Sequence, residues 1–273
     1  MAFRPFVLAV NGPILTLVFG SAQTQHAALS RLECFYESKE YANTYLNLDA
    51  AFRARVCRGY EAFNLPTDIV SRWLEAMQDA EGNSSDEETS PWWHSFCNAE
   101  EIQLLDTLFE IEPRPSYLIS SLVHHADVAL AHERLHALYH LSQAYRELLA
   151  SIWEDLPRNI QNTIQYDLKM RGYKEAVYQD EFGAYLGITT TPGTRRGDPV
   201  LEFGNKSIEV CRDVRKTLLH RIPEFWRIDV GIDEASMQLS PAFLLEAKES
   251  LTPAHKSNQA TSFVKGKNRR TKK

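Results

Sequence analysis

Two histidines four positions apart carry most of the chemistry that this sequence suggests. The segment His132-Glu133-Arg134-Leu135-His136 has the pattern HExxH. Residues four apart share one face of a helix, so both imidazoles can reach one metal ion. The carboxylate of Glu133 can approach a water molecule beside that ion and accept its proton. We therefore predict that His132 and His136 bind a metal and that Glu133 is a general base.

The residues around this motif favour a buried helix. They include no Gly or Pro, and the apolar ones are Val128, Ala129, Leu130, Ala131, Leu135, Ala137 and Leu138. A helix with so many apolar residues would keep bulk water away from a metal site. The alternative interpretation is that both histidines are satisfied core residues without a ligand.

A third ligand is expected in the segment DEFGAYL, at residues 180–186. Its aromatic and aliphatic residues predict a packed helix, in which a carboxylate is costly to bury unless it is paired or bound to a metal. Zinc commonly takes three protein ligands and one water in catalytic sites. The acid pair Asp180-Glu181 is therefore the candidate source of a third ligand, and the alternative for Glu181 is an exposed acid near the start of a helix.

With these residues the sequence resembles zinc metallopeptidases of the gluzincin kind, which use HExxH and a glutamate on a following helix. The resemblance covers roughly residues 128–186. It implies that His132, His136 and Glu181 bind Zn²⁺ and that Glu133 is the base. Thermolysin-like members place an aspartate four residues after the ligand glutamate, whereas Tyr185 stands here. The resemblance also implies peptide binding along a strand edge, for which the N-terminal hairpin or residues 116–121 are candidates.

Other polar residues receive weaker predictions. Asp180 points about 100° away from Glu181 around a helix, so we do not expect it to reach a ligand imidazole. His140 shares the face of the motif but is awkwardly placed for a third ligand. His124 and His125 are too far along the helix to share the same ion and are expected to be structural or surface residues. Candidates for stabilising an oxyanion are Tyr139, Tyr173, Tyr178 and His220.

Residues 6–19 predict a small β element. Asn11-Gly12 lies between two aliphatic segments, which is typical of a hairpin turn. The same run follows Arg4 and ends near small residues, so a signal peptide is the alternative.

The remainder of the chain predicts helices, and the fold class is mainly α (α+β), a zincin-like helical domain with a small N-terminal hairpin. We expect one domain over residues 1–255, with an exposed acidic loop at 79–91, and a disordered basic tail at 256–273. The predicted helices cover 23–45, 48–61, 67–78, a segment beginning at Asn98, and then 117–141, 143–156, 159–170, 174–186 and 208–219.

Charge and cysteine content limit the class of protein. The net charge is −6, although the last nine residues hold six basic groups. The acidic body argues against general nucleic-acid binding, and the tail is either solvated or a nuclear-import or nucleic-acid contact. The four cysteines form no CxxC pair, which predicts free thiols. No run is long enough to span a membrane, and an intracellular location is expected unless the N-terminus is a signal peptide.

These features predict a zinc-dependent hydrolase that acts on a peptide or protein, with the oligomeric state left open. Two alternatives remain. Two histidines and a carboxylate also suit iron, as in oxygenases, although the intervening glutamate favours zinc. A non-enzymatic helical protein, for instance a nuclear one, would keep the histidines in its core and use the tail to bind a partner.

Overall fold

The structure is a computed structural model that describes residues 5–82, 91–189 and 198–251. The predicted basic tail lies outside these residues, as does most of the predicted acidic loop. In the parts described, a mainly helical chain packs around one small sheet, as predicted. The four strands are β1 (Phe6–Asn11), β2 (Ile14–Phe19), β3 (Ala62–Pro66) and β4 (Tyr117–Leu122).

The strands lie in the order β1-β2-β4-β3. The predicted hairpin is confirmed, since β1 and β2 pair antiparallel with Asn11 opposite Ile14. Gly12 follows with φ of 56°, in the left-handed region that glycine adopts without strain. Strand β4 pairs parallel with β2 and antiparallel with β3, which leaves β1 and β3 as the edges.

Strand β4 corrects the prediction of one helix over residues 117–141. All six of its residues are buried. A central strand that is covered on both faces lacks the alternation of apolar and polar residues. Periodicity alone therefore does not distinguish it from a segment of a buried helix. Strand β3 was also missed, since its residues lie between the helices predicted over 48–61 and 67–78 and were assigned no structure.

Ten α-helices occur in the described parts of the chain. They are α1 (Ala22–Glu37), α2 (Leu48–Ala54), α3 (Asp68–Glu81), α4 (Ala99–Glu110), α5 (Ala126–Leu141), α6 (Gln143–Asp155), α7 (Arg158–Met170), α8 (Tyr178–Gly187), α9 (Ile208–Phe225) and α10 (Pro241–Leu251).

Several helix ends differ from the prediction. Helix α1 stops at Glu37, and α2 stops before Arg55, whose φ of 52° is left-handed. The predicted helix over 174–186 begins with a 3-10 turn, and its α-helical part starts at Tyr178. The start predicted at Asn98 is confirmed, since Asn98 and Glu101 form a capping box.

The sheet separates two hydrophobic cores, because alternate residues of a strand point to opposite faces. One face carries Ile14, Val18, Tyr117 and Ile119 against the helices that follow β4. The other face packs mainly against α1, α3 and α4. Helix α5 lies on the first face and contacts both β3 and β4, so the sheet supports the HExxH segment directly.

Two further features agree with the sequence predictions. The four cysteines are free thiols, and two of them, Cys34 and Cys211, are buried. Among the described residues, no helix combines the length and the apolar character needed to cross a membrane.

Candidate metal centre

The HExxH segment is helical, and its two histidines point to one place. His132 and His136 lie one turn apart on α5, and their Nε2 atoms are 3.1 Å apart. The side chain of His136 is 6% exposed and that of His132 is 12% exposed. Two ring nitrogens so close together, both shielded from bulk water, need a proton or a cation between them.

Helix α8 brings Glu181 to the same point. Its Oε2 lies 3.6 Å from Nε2 of His132, and its Oε1 lies 3.6 Å from Nε2 of His136. Helix α8 approaches closely because it carries glycine where it meets its neighbours. A Cβ at Gly183 would lie 2.4 Å from a methyl carbon of Leu149 on α6.

The three side chains fit a single metal ion. One donor atom from each of His132, His136 and Glu181 can be chosen so that all lie within 4.8 Å of one another. Two atoms bound at about 2.0–2.1 Å to one tetrahedral ion are roughly 3.3 Å apart, close to the separations observed. The Oε2 atom of Glu181 is buried and has no hydrogen-bond partner among the described residues. A cation at this point would satisfy it.

Asp180 corrects a sequence prediction. We did not expect it to reach a ligand imidazole, yet its Oδ1 lies 2.9 Å from Nδ1 of His136. The 100° argument holds for side chains that project radially, but α5 passes close enough to α8 for both neighbouring acids to reach one ring. A carboxylate at Nδ1 fixes the tautomer in which Nε2 carries the lone pair for a metal.

The electrostatics of these groups are strongly coupled. Burial alone would lower the pKa of His136, but the carboxylates of Asp180 and Glu181 outweigh burial and raise that pKa well above its usual value. Burial alone would raise the pKa of Glu181, yet His136 and His132 hold it below the usual value. The site therefore favours positive charge between the histidines and negative charge on Glu181.

Glu133 is buried beside the triad, and a specific partner fixes its position. The Nδ2 atom of Asn64, in β3, donates a 2.7 Å hydrogen bond to Oε2 of Glu133. The hydroxyl group of Tyr117 in turn donates to Oδ1 of Asn64 at 2.5 Å, which sets the direction of the amide. Burial raises the pKa of Glu133, and His132, His136 and Asn64 oppose that change. A carboxylate with a raised pKa is a stronger base.

The site opens into a cleft of about 770 Å³. Its walls come from α1, the chain after α2, β3, α5 and the segment before α8. The predicted ligands His132, His136 and Glu181 and the predicted base Glu133 all line it. All four predicted site residues therefore lie at one cleft.

Among the four residues considered for oxyanion stabilisation, Tyr173 alone lines this cleft. Its hydroxyl group lies 3.0 Å from that of Tyr185 and also interacts with Glu181. Tyr139, Tyr178 and His220 are not part of the cleft wall.

The remaining histidines near the motif do not join the site. The ring of His140 packs 5.2 Å from the ring of Tyr117. His125 lies 3.9 Å from Glu61, with about half of its side chain exposed, as expected for a surface residue.

No protein-family model, no curated protein and no solved structure matches this chain.

Proposed function

We propose that this protein is a zinc-dependent hydrolase that cleaves peptide bonds. The observation that carries the proposal is the position of Glu133, a buried carboxylate held by Asn64 next to a metal-binding triad at the base of an open cleft. A site that only stored a metal, or a core pair of histidines, would have no use for an oriented base facing a cleft.

The resemblance to gluzincin metallopeptidases supports the same roles for these residues. In the proposed site, His132, His136 and Glu181 hold the zinc ion, and Asp180 orients His136. Zinc in such a site polarises a substrate carbonyl and makes a water molecule more acidic. The three ligand roles are assigned because the donor atoms of His132, His136 and Glu181 lie close enough together to bind one ion.

Glu133 performs the proton transfers. Its carboxylate accepts a proton from the attacking water and then donates that proton to the leaving amine. The hydrogen bond from Asn64 occupies one carboxylate oxygen, Oε2, so Oε1 is the oxygen that would accept the proton. Tyr173, which lines the cleft, is the residue that would donate a hydrogen bond to the developing oxyanion.

Metal analysis and one conservative variant test this function together. We expect about one zinc ion per purified chain, lost in His136→Ala and in Glu181→Ala. Glu133→Gln should retain zinc but lower cleavage of a quenched fluorescent peptide library by about 10²–10⁴-fold. Glu154→Gln, an exposed change on α6, is the control and should match the wild type.

Other outcomes point elsewhere. Full hydrolysis by Glu133→Gln would refute the mechanism. Iron in place of zinc would favour the oxygenase alternative, and the complete lack of any metal after zinc is offered would favour the interaction protein.

A further inference from the structure

Glu33 is a second buried carboxylate in the cleft, and the proposed mechanism gives it no role. It lies on α1, is 4% exposed, and lines the same cleft as Glu133. Its Oε2 atom is buried and has no hydrogen-bond partner among the described residues. Burial of a carboxylate oxygen without a partner is unfavourable, so a donor or cation that the described chain does not itself supply is expected at Oε2.

Glu37 adds a second acid to the same wall. It follows Glu33 by one helical turn on α1 and also lines the cleft. Neither acid forms an ion pair within the described residues, although the site's own carboxylates lie nearby. Burial raises the pKa of Glu33 well above its usual value, so this wall carries two carboxyl groups, one buried and one exposed, whose charged forms no contacting cation stabilises.

The basic residues of the cleft are occupied or exposed. Lys174 donates to the backbone carbonyls of Glu37 and Ser38, at 2.9 and 2.8 Å. Arg171 pairs with Asp167 and Glu202. Lys39 and Arg55 are exposed to solvent.

Glu33 also lies beside the middle of the neighbouring edge strand, β3. The backbone amide of Asn64, in edge strand β3, interacts with the Glu33 carboxyl group. A peptide that paired with β3 at this point would have to displace that carboxylate. A substrate whose chain ends here, with a positively charged group against Glu33, needs no such displacement.

We propose that Glu33 and Glu37 form a subsite for an ammonium group of the substrate. The assignment rests on the proposed hydrolase function for its choice of a peptide as the ligand. The ammonium group is either the peptide's N-terminus or the side chain of a lysine. In both cases it would donate hydrogen bonds to the unpartnered oxygen of Glu33, and Glu37 would add a second negative charge.

The test measures binding, so that it does not depend on turnover. Zinc-loaded Glu133→Gln serves as the background, because it should bind peptides without cleaving them. The probes are tetra-alanine amide, its N-acetylated form, and N-acetylated tetrapeptides in which one lysine or one norleucine is placed at each position. Calorimetric titration gives a Kd for each probe.

We expect one ammonium-bearing probe to bind about 10- to 100-fold more tightly than its neutral counterpart. A gain with free tetra-alanine amide identifies the N-terminus as the source, and a gain with a lysine probe identifies the side chain. Adding Glu33→Gln to the background should abolish the difference, and adding Glu37→Gln should reduce it. Adding Glu75→Gln, an exposed change on α3, should preserve it.

Equal binding of charged and neutral probes would overturn the subsite. A preference for the charged probe that survives Glu33→Gln would also overturn it, provided that this variant has the same Tm as its background. Lack of binding by every ammonium-bearing probe would also overturn it. These results are separate from the hydrolase test. An ammonium preference that depends on Glu33, in a protein without cleavage activity, would support the subsite and refute the hydrolase.

Discussion

The Oδ1 atom of Asp180 lies 2.9 Å from Nδ1 of His136, on the side of the ring away from the Nε2 that faces Glu181. Two neighbouring residues of α8 thus contact the two nitrogens of one imidazole. One acid is placed to bind a metal, and the other to orient the histidine that binds it. Helix α8 therefore contacts both ring nitrogens of His136.

Loss of the Asp180 carboxylate should weaken metal binding without removing a ligand. We expect Asp180→Asn to lower zinc affinity by about 10- to 100-fold, because a neutral amide holds the imidazole less firmly and makes it a poorer donor. Competition with a chromophoric chelator measures the affinity. Glu181→Ala should lose far more, and an Asp180→Asn affinity equal to wild type would show that Asp180 does not orient His136.

Zinc should stabilise the folded chain, because its ligands come from two different helices. At a free zinc concentration of 100 times Kd, one site adds about 2.7 kcal/mol to the free energy of unfolding. For a domain of this size that corresponds to a rise in Tm of about 5–10 °C. Differential scanning calorimetry with and without a chelator measures the rise. His132→Ala should abolish it, whereas His220→Ala, which alters an exposed histidine on α9, should not.

Asn64 should influence the pH dependence of hydrolysis. Its hydrogen bond favours the charged form of Glu133 and so lowers the pKa of that carboxyl group. In Asn64→Ala this pKa should rise. Since the base acts when deprotonated, the loss of activity on lowering the pH should then begin at a higher pH than in the wild type. Activity profiles of the zinc-loaded proteins measure the shift. Tyr117→Phe, which leaves the amide in place, should shift the limb less, and an unchanged limb in Asn64→Ala would contradict the role.

Gly183 should be required for the correct position of Glu181. In Gly183→Ala the new methyl group would overlap the Leu149 side chain on α6. Overpacking of this kind costs about 1–3 kcal/mol, and moving α8 should also weaken zinc binding. Denaturant unfolding and zinc titration measure the two effects. The double variant Gly183→Ala/Leu149→Ala should be less destabilised than the sum of the single changes, because the second change removes the overlap.

The sequence predicted the residues of the HExxH helix better than the residues that other helices and strands bring to the site. His132 and His136 could be paired because they lie on one helix, where spacing alone determines which residues share a face. Glu181 required a resemblance, since nothing in the spacing shows that α8 crosses α5. Its contact with both histidines depends on the close approach of two helices that are distant in sequence.

Asn64 and Asp180 show where sequence reasoning stopped. Strand β3 is only five residues long and contains Pro66, so it carried little signal of its own. Asn64 becomes relevant only because β3 pairs with β4, which places its side chain over α5. The role of Asp180 depends on the distance between two helix axes, which a helical projection of one helix does not contain.

The contact between Glu33 and the backbone of β3 has a consequence for solubility. Edge strands expose amides that can pair with strands of other molecules, and such pairing is a common route to aggregation. A carboxyl group held against the Asn64 amide of β3 covers one of these sites with a group that a hydrophobic strand would have to displace. Replacing Glu33 by an apolar residue could therefore make the folded protein more prone to form intermolecular sheets, even where it relieves the cost of burying a charge.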